Sequence, residues 1–153
     1  MGFGYSFRCR KCHKEYSAYL DSGMMYPLEY DRILKEIQAG KYGAKMQEIS
    51  NTVPGIAVDA ESAVFFCDGC KRWKSEPVLS LYAPREDCPA QQDQLDKAPW
   101  KSDLERDYRI VYRYYHKCGK CGKRMRRLSS KEAENLPCPK CREMNQGEMF
   151  LWD

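Results

Sequence analysis

The chain has 153 residues, of which 31% are charged and nine are cysteines, and its formal net charge is +4. This length allows one ordinary domain or two small ones, and small domains often need a metal or a disulfide because their cores bury too little surface. The apolar runs are only a few residues long, which excludes a membrane span of roughly 20 residues and predicts a soluble protein. The N-terminus has no basic stretch followed by an apolar segment, so we expect no secretory signal and a cytoplasmic location.

Two short strands and an amphipathic helix are predicted in the first 40 residues. Residues 5–8 alternate as a strand, and residues 15–20 could return as its partner. Apolar side chains then recur at i, i+3, i+4 and i+7, which is the spacing of one helix face. These side chains are Tyr30, Ile33, Leu34 and Ile37. Gly40 follows the last of them, and the pattern predicts a helix over residues 29–39.

The rest of the first half predicts one more helix and two strands. A short helix is expected over residues 44–50, before the turn at Pro54 and Gly55. Residues 63–66 read as a buried strand that leads into a cysteine pair, and residues 78–82 as the strand after that pair. Residues 85–106 are rich in Gln, Asp and Pro and are predicted to be a linker.

The C-terminal part opens with the clearest strand pattern in the chain. Four apolar residues are predicted to share one face of this strand, namely Tyr108, Ile110, Tyr112 and Tyr114. Ser129 and Glu132 have the spacing of a capping box, which predicts a helical turn over residues 130–135. A last strand is expected at residues 149–152. The predicted fold class is therefore α+β.

The cysteines have the most specific pattern in the sequence. Eight of the nine form Cys-x-x-Cys pairs, and Cys88 stands alone. In a reducing compartment, regularly spaced cysteines indicate a metal site before they indicate disulfides. Four thiolates from two such pairs complete the tetrahedron that structural zinc prefers. The predicted metal ligands are Cys9, Cys12, Cys67, Cys70, Cys118, Cys121, Cys138 and Cys141.

Spacing predicts how the four pairs combine into two zinc sites. The pairs at 118/121 and 138/141 are separated by 16 residues, which is typical of a compact four-cysteine zinc site. The pairs at 9/12 and 67/70 are separated by 54 residues, so their loop would carry an insertion. An alternative stays open, in which Cys9 and Cys12 share an ion with a C-terminal pair.

With these pairs the chain resembles zinc-ribbon proteins, in which two rubredoxin-like knuckles grip one zinc ion. The layout is similar to that of small bacterial double zinc-ribbon proteins of uncharacterised role. The resemblance implies two ribbons, at residues 1–84 with a helical insertion and at residues 107–153, joined by the linker at 85–106. His13 and Arg142 depart from the pattern, because a glycine often stands at these positions. The resemblance implies a fold and a metal but no activity.

Other chemistries of cysteine pairs fit the sequence less well. Cys9, Cys12 and His13 match the attachment pattern of c-type haem, but that reading leaves other cysteine pairs without a partner. An iron-loaded, rubredoxin-like electron carrier remains an alternative, since four-sulfur sites also accept iron. A catalytic zinc would keep an open position and often a histidine ligand, and this chain has only two histidines, His13 and His116. No catalytic residues are predicted, and the chain is expected not to be an enzyme.

A basic C-terminal segment is the predicted partner surface. Its residues are Arg109, Arg113, Lys117, Lys120, Lys123, Arg124, Arg126 and Arg127. Such cations could pair with nucleic-acid phosphates while the nearby Tyr112, Tyr114 and Tyr115 stack on unpaired bases. They could equally offset the net −2 charge of a zinc ion with four thiolates, or dock a protein partner, while the tyrosines form a core. The predicted function is a non-catalytic zinc-binding module for nucleic acid, with a protein adaptor as the alternative.

Overall fold

The computed structural model describes residues 2–87 and 98–153, which form a mixture of helices and small β-sheets. Contacts divide the chain into two compact units. Unit 1 comprises Met1–Met24, Ser62–Pro77 and Tyr115–Asp153, and unit 2 comprises Met25–Glu61 and Val78–Tyr114. Each unit is therefore assembled from separate stretches, and the predicted boundaries at 84/85 and 106/107 do not coincide with theirs. Within the two described ranges, no helix is long and apolar enough to cross a membrane.

Eleven strands and four helices lie in the described residues. In chain order they are β1 (Gly2–Arg8), β2 (Glu15–Leu20), α1 (Tyr26–Gln38), α2 (Ala44–Thr52), β3 (Ala57–Val58), β4 (Ser62–Cys67), β5 (Arg72–Pro77), β6 (Leu81–Pro84), α3 (Lys101–Asp107), β7 (Tyr108–Tyr112), β8 (Arg126–Arg127), α4 (Ser130–Ala133), β9 (Asn135–Pro137), β10 (Met144–Gln146) and β11 (Glu148–Trp152).

Unit 1 contains three small antiparallel sheets, with strand orders β11-β1-β2, β5-β4-β8 and β10-β9. Alternate residues of β1 point into the core, so Tyr5 and Phe7 are buried while Ser6 and Arg8 are exposed. The predicted pairing of residues 5–8 with residues 15–20 is confirmed. So is the predicted last strand, although it pairs with β1 at the other end of the chain.

The predicted capping box at the start of α4 is confirmed. The Ser129 side chain accepts a hydrogen bond from the Glu132 backbone N–H at 3.2 Å. In return, the Glu132 carboxylate accepts one from the Ser129 N–H at 2.8 Å. This exchange satisfies two N–H groups that have no partner inside so short a helix. The turn brings the buried Ala133 and Leu136 into the core of unit 1.

Unit 2 combines α1, α2 and α3 with the sheet β3-β6-β7. The helix predicted over residues 29–39 begins earlier, at Tyr26, because Pro27 can occupy the first turn where its missing N–H costs nothing. Its predicted apolar face is buried at Tyr30, Ile33 and Ile37. Part of the predicted linker is helical here, since α3 covers Lys101–Asp107. The predicted linker residues 88–97, including Cys88, lie outside the described residues.

Two predicted strands differ in detail. The strand predicted at residues 78–82 begins later, at Leu81 in β6, because Leu79 has a φ of 69°, which lies outside the extended region of strands. In β7 the predicted apolar face is incomplete. Ile110 is 38% exposed, and the pairing of β6 with β7 is irregular between Leu81 and Tyr82. This irregularity changes which residues of β7 face the core.

Candidate metal centres

The four Cys-x-x-Cys pairs lie in turns that share one backbone conformation. In each turn, the N–H of the residue after the second cysteine donates to the carbonyl of the first cysteine at 2.8–2.9 Å. That residue has a positive φ in all four turns. The values are 63° at His13, 55° at Lys71, 71° at Gly122 and 68° at Arg142. A positive φ is free only for glycine, so three of the four turns carry local backbone strain.

These turns bring the eight paired cysteines together as two groups of four. Cys9, Cys12, Cys138 and Cys141 form one group, which we call the outer site because its cysteines come from turns far apart in the sequence. Cys67, Cys70, Cys118 and Cys121 form the other, which we call the inner site. Within each group all sulfur atoms lie within 4.8 Å of one another. Both groups belong to unit 1.

This grouping contradicts the predicted pairing, in which the two N-terminal Cys-x-x-Cys pairs form one site and the two C-terminal pairs form the other. Cys9 and Cys12 do not share a site with Cys67 and Cys70, and the open alternative of a C-terminal partner for them is the one found. The prediction was wrong because loop length was given too much weight. Each doubling of loop length costs only about 0.6 kcal/mol, which pairing between distant strands readily outweighs. Here β1 pairs with β11, and β4 pairs with β8.

The outer site is held by polar contacts between its two turns. The buried Asn145 accepts a hydrogen bond at Oδ1 from the Arg10 N–H at 3.1 Å. Its Nδ2 donates to the Tyr16 hydroxyl at 3.1 Å and to the Glu143 carbonyl at 2.9 Å. The Tyr16 hydroxyl donates in turn to the Leu136 carbonyl at 3.0 Å. These contacts fix the first turn against the fourth.

The inner site is held by sheet pairing and ring packing. Strand β8, which follows the turn of Cys118 and Cys121, pairs with β4, which leads into Cys67. His116 is buried, and its ring stacks on Phe65 with 3.8 Å between the ring centroids. Its Nε2 lies 3.0 Å from the Pro77 carbonyl oxygen. His116 therefore belongs to the packing that supports the site and is not in the four-sulfur group.

Backbone N–H groups stabilise a thiolate at the first cysteine of several turns. The N–H groups of Cys12 and Lys11 hold the pKa of Cys9 at about 6, and those of Cys121 and Lys120 do the same for Cys118. The pKa of the second cysteine is instead raised in the turn of Cys67 and Cys70. Hydrogen bonding to Cys121, together with burial, raises the pKa of Cys70 to about 12. Four thiolates this close repel one another, and a bound cation would remove that cost.

The sulfur positions fit a tetrahedral metal ion. In the outer site, Sγ of Cys9 lies 3.4 Å from that of Cys141, and Sγ of Cys12 lies 3.5 Å from that of Cys138. The corresponding distance between Cys67 and Cys121 in the inner site is 3.6 Å. Sulfurs around a tetrahedral zinc are about 3.8 Å apart when each Zn–S bond is about 2.3 Å. The donor set is therefore compatible with two metal ions in zinc-ribbon-like sites.

The predicted partner residues are divided between the two units. Arg109 and Arg113 belong to unit 2, whereas the other six belong to unit 1. Arg126 is committed to ion pairs with Asp68 at 3.1 Å and Glu132 at 2.8 Å. The Arg124 guanidinium lies 3.3 Å from the ring centroid of Tyr115, and both side chains are exposed.

Three lysines of this segment remain exposed and without an acidic partner in the part of the chain that the structure describes. They are Lys117, Lys120 and Lys123. Of the upstream tyrosines, Tyr112 and Tyr114 pack against the core of unit 2, as the alternative interpretation of the strand predicted. Only Tyr115 is exposed, at 44%.

Some residues of these sites were missed from the sequence. Asn145 is a lone asparagine in a short strand, and only its position four residues after Cys141 hinted at a role. Arg72 and Trp73, which follow the second turn in β5, were not identified from the sequence either.

Comparison with protein-family models, curated proteins and solved structures finds no match to this chain.

Proposed function

We propose that this chain is a non-catalytic binding module, held together by two structural zinc ions of zinc-ribbon type. The observation that supports this proposal is the composition of the two sites. Each has four thiols from the protein, and four thiolates fill a tetrahedron and leave no position for water or substrate. A catalytic zinc keeps such a position open. The proposed setting is a reducing cytoplasm, where the thiols stay available to the metal.

The proposed partner is nucleic acid, bound by the basic surface of the turn that carries Cys118 and Cys121. Lys117, Lys120 and Lys123 are exposed around this turn and have no acidic partner among residues 2–87 and 98–153. Phosphates would supply the missing negative charge. The exposed stack of Arg124 on Tyr115 adds a flat cationic surface, which suits both phosphates and bases.

The competing explanation is that these cations only offset the charge of the metal site beside them. A zinc ion with four thiolates has a net charge of −2. Arg126 is set aside because it forms two ion pairs. The turn of Cys118 and Cys121 still has four cations around it, namely Lys117, Lys120, Lys123 and Arg124, which is twice the charge of the metal site. The excess favours an external anionic partner over simple charge balance.

Metal analysis and an oligonucleotide titration test the two parts of this proposal separately. The purified protein should contain two zinc ions per chain and be colourless. One metal per chain, or the visible absorption of an iron–thiolate centre, would contradict the zinc assignment and favour the rubredoxin-like electron carrier.

For the partner, we compare the wild type with the triple variant Lys117→Gln/Lys123→Gln/Arg124→Gln. The matched control is Arg8→Gln/Lys14→Gln/Lys131→Gln, which removes the same charge from other exposed positions of unit 1. The first variant should flatten the log-log salt dependence of binding to single strands by about 2, since each phosphate contact contributes about 0.7. The control should flatten it much less. Equally feeble binding by all three proteins would end the nucleic-acid proposal and favour a protein adaptor.

A further inference from the structure

Unit 1 has a cleft of about 210 Å³ between strand β5 and the turns that follow Cys118 and Cys138. It lies beside both metal sites, since Cys118 belongs to the inner site and Pro139 to a turn of the outer site. The residues that line it are Arg72, Trp73, Lys74, Cys118, Gly119, Lys120, Met125, Pro139 and Arg142. Four of them are cationic, and none is acidic.

The cleft combines apolar walls with a cationic rim. Trp73 and Met125 supply apolar surface, and the Trp73 indole is oriented by its Nε1–H, which donates to the Pro137 carbonyl at 2.8 Å. Arg72, Lys120 and Arg142 are exposed and have no acidic partner within the described ranges. Lys74 differs, because it forms an ion pair with Glu76 at 3.2 Å. Three charges of the rim are therefore available to a ligand.

We propose that this cleft binds one nucleotide unit of a single-stranded nucleic acid, with the base against Trp73 and the flanking phosphates on Arg72, Lys120 and Arg142. This inference rests on the proposed function and names its site. A ring surface with cations around it is the combination that holds unpaired bases and their backbone. The cleft is smaller than the roughly 300–1,000 Å³ of most small-molecule pockets, which favours one unit of a polymer over a whole cofactor.

A single strand is favoured over a duplex for a physical reason. Trp73 is half-buried at the cleft, so only a base that has left its stack can lie against it. Duplex bases are stacked on both faces and cannot do so without melting. An acidic protein segment would meet the cations of the rim but would leave the apolar walls without a planar partner.

The charge test uses the zinc-loaded protein with a labelled 12-nucleotide homopolymer. The cleft variant is Arg72→Gln/Lys120→Gln/Arg142→Gly. Glycine is chosen at position 142 because its φ of 68° suits glycine, so the variant loses charge without gaining strain. We expect roughly ten-fold or weaker affinity and a log-log salt slope flatter by about 2. The control Arg8→Gln/Lys14→Gln/Lys131→Gln should keep its affinity within about two-fold, because its cations lie outside the cleft.

The stacking test uses Trp73→Leu, which keeps every charge. Affinity for the homopolymer should fall roughly ten-fold, while the salt slope stays unchanged because the slope counts phosphates and not bases. The variant must retain two zinc ions. If it does not, the stacking is tested on the wild type, where the chemical shift of the Trp73 indole N–H reports directly whether the strand reaches the ring.

The outcomes separate this inference from the proposed function. Loss of binding in Lys117→Gln/Lys123→Gln/Arg124→Gln but not in the cleft variant would overturn the cleft and leave the function standing. No binding by the wild type would overturn both. Duplex binding as tight as single-strand binding, or equal competition by inorganic phosphate or polyglutamate, would also overturn the cleft as a nucleotide site.

Discussion

Asn145 and Arg10 are joined by a hydrogen bond from the Arg10 backbone N–H to the Asn145 side-chain oxygen, at 3.1 Å and across 135 residues of chain. Asn145 is only 4% exposed, and the same side chain also contacts Tyr16 and Glu143. One buried amide group thus links two turns that each supply two ligands to the outer site.

Replacing this amide should weaken the outer site. Asn145→Ala leaves the Arg10 N–H without its acceptor, and we expect a loss of about 1–3 kcal/mol in unfolding free energy. Affinity for the outer-site metal should fall with it, because metal binding and folding are coupled. Urea unfolding and chelator competition measure the two effects. Gln146→Ala, at an exposed neighbouring position, is the control, and an equal effect of both changes would contradict this role of Asn145.

Removing one ligand should affect turns that are distant in sequence. Cys138→Ser should reduce the metal content from two to about one per chain, since three thiolates hold a structural zinc poorly. Amide hydrogen exchange should then quicken around Cys9 and Cys12, while the turn at Cys67 and Cys70 stays protected. Faster exchange at Cys67 with continued protection at Cys9 would contradict the observed grouping of ligands.

The shared conformation of the turns can be tested at two glycines of one loop. A Cβ at Gly119 or at Gly122 would meet no atom within 4 Å, so neither change to alanine causes a clash. Only Gly122 has a positive φ, at 71°. Gly122→Ala should therefore cost about 1 kcal/mol of unfolding free energy, whereas Gly119→Ala should cost little.

The reverse change should stabilise the fourth turn. Arg142 has a φ of 68° in the equivalent position, so Arg142→Gly should add up to about 1 kcal/mol to the unfolding free energy. Thermal unfolding of the zinc-loaded variants measures both effects. A destabilised Arg142→Gly would show that its side chain contributes more to the fold than its backbone strain costs.

Unit 2 should lose stability at alkaline pH. Burial raises the pKa of Tyr26 and of Tyr30 above the ordinary value of 10.0. Burial acts to lower the pKa of Lys101, but the hydrogen bond and charge of Asp59 outweigh it and raise that pKa above 10.5. All three folded-state values lie above the unfolded ones, so their stabilisation is complete below about pH 10 and is lost as the pH rises through the folded values.

The measurement pairs urea unfolding between pH 8 and 12 with tyrosinate absorbance. We expect the tyrosinate absorbance of Tyr26 and Tyr30 to appear only as unit 2 unfolds. Tyr30→Phe should make the alkaline decline shallower, because one raised pKa is removed. Early titration of every tyrosine near pH 10 without unfolding would show that these hydroxyls are open to water.

Local patterns in the sequence predicted most of the elements correctly. The face of α1 at Tyr30, Ile33 and Ile37 and the capping box of α4 depend on residues a few positions apart. The four Cys-x-x-Cys turns were recognised for the same reason, since each turn is complete within six residues. The Cys-x-x-Cys spacing within one turn is therefore enough to predict that its two sulfur atoms lie close together.

The assembly of these parts could not be predicted in the same way. Which turns bring their cysteines into one group depends on pairing between β1 and β11 and between β4 and β8, and no short pattern records strand partners far apart in the chain. The role of Asn145 could not be predicted either, because its hydrogen-bond partner Arg10 lies 135 residues away in the sequence. The cleft beside Trp73 likewise draws on three separate stretches.

The order of the cysteine pairs along the chain sets the order in which the two cysteine sites can close during synthesis. The inner site joins Cys67 to Cys121 across 54 residues, whereas the outer site joins Cys9 to Cys141 across 132. A chain leaving the ribosome therefore has all four inner ligands before it has any fourth-turn cysteine. Closing the inner site first shortens the loop that the outer site must still close. Cys9 and Cys12 therefore wait until the fourth turn has been synthesised, and in that interval they are open to oxidation or to a metal held by half a site.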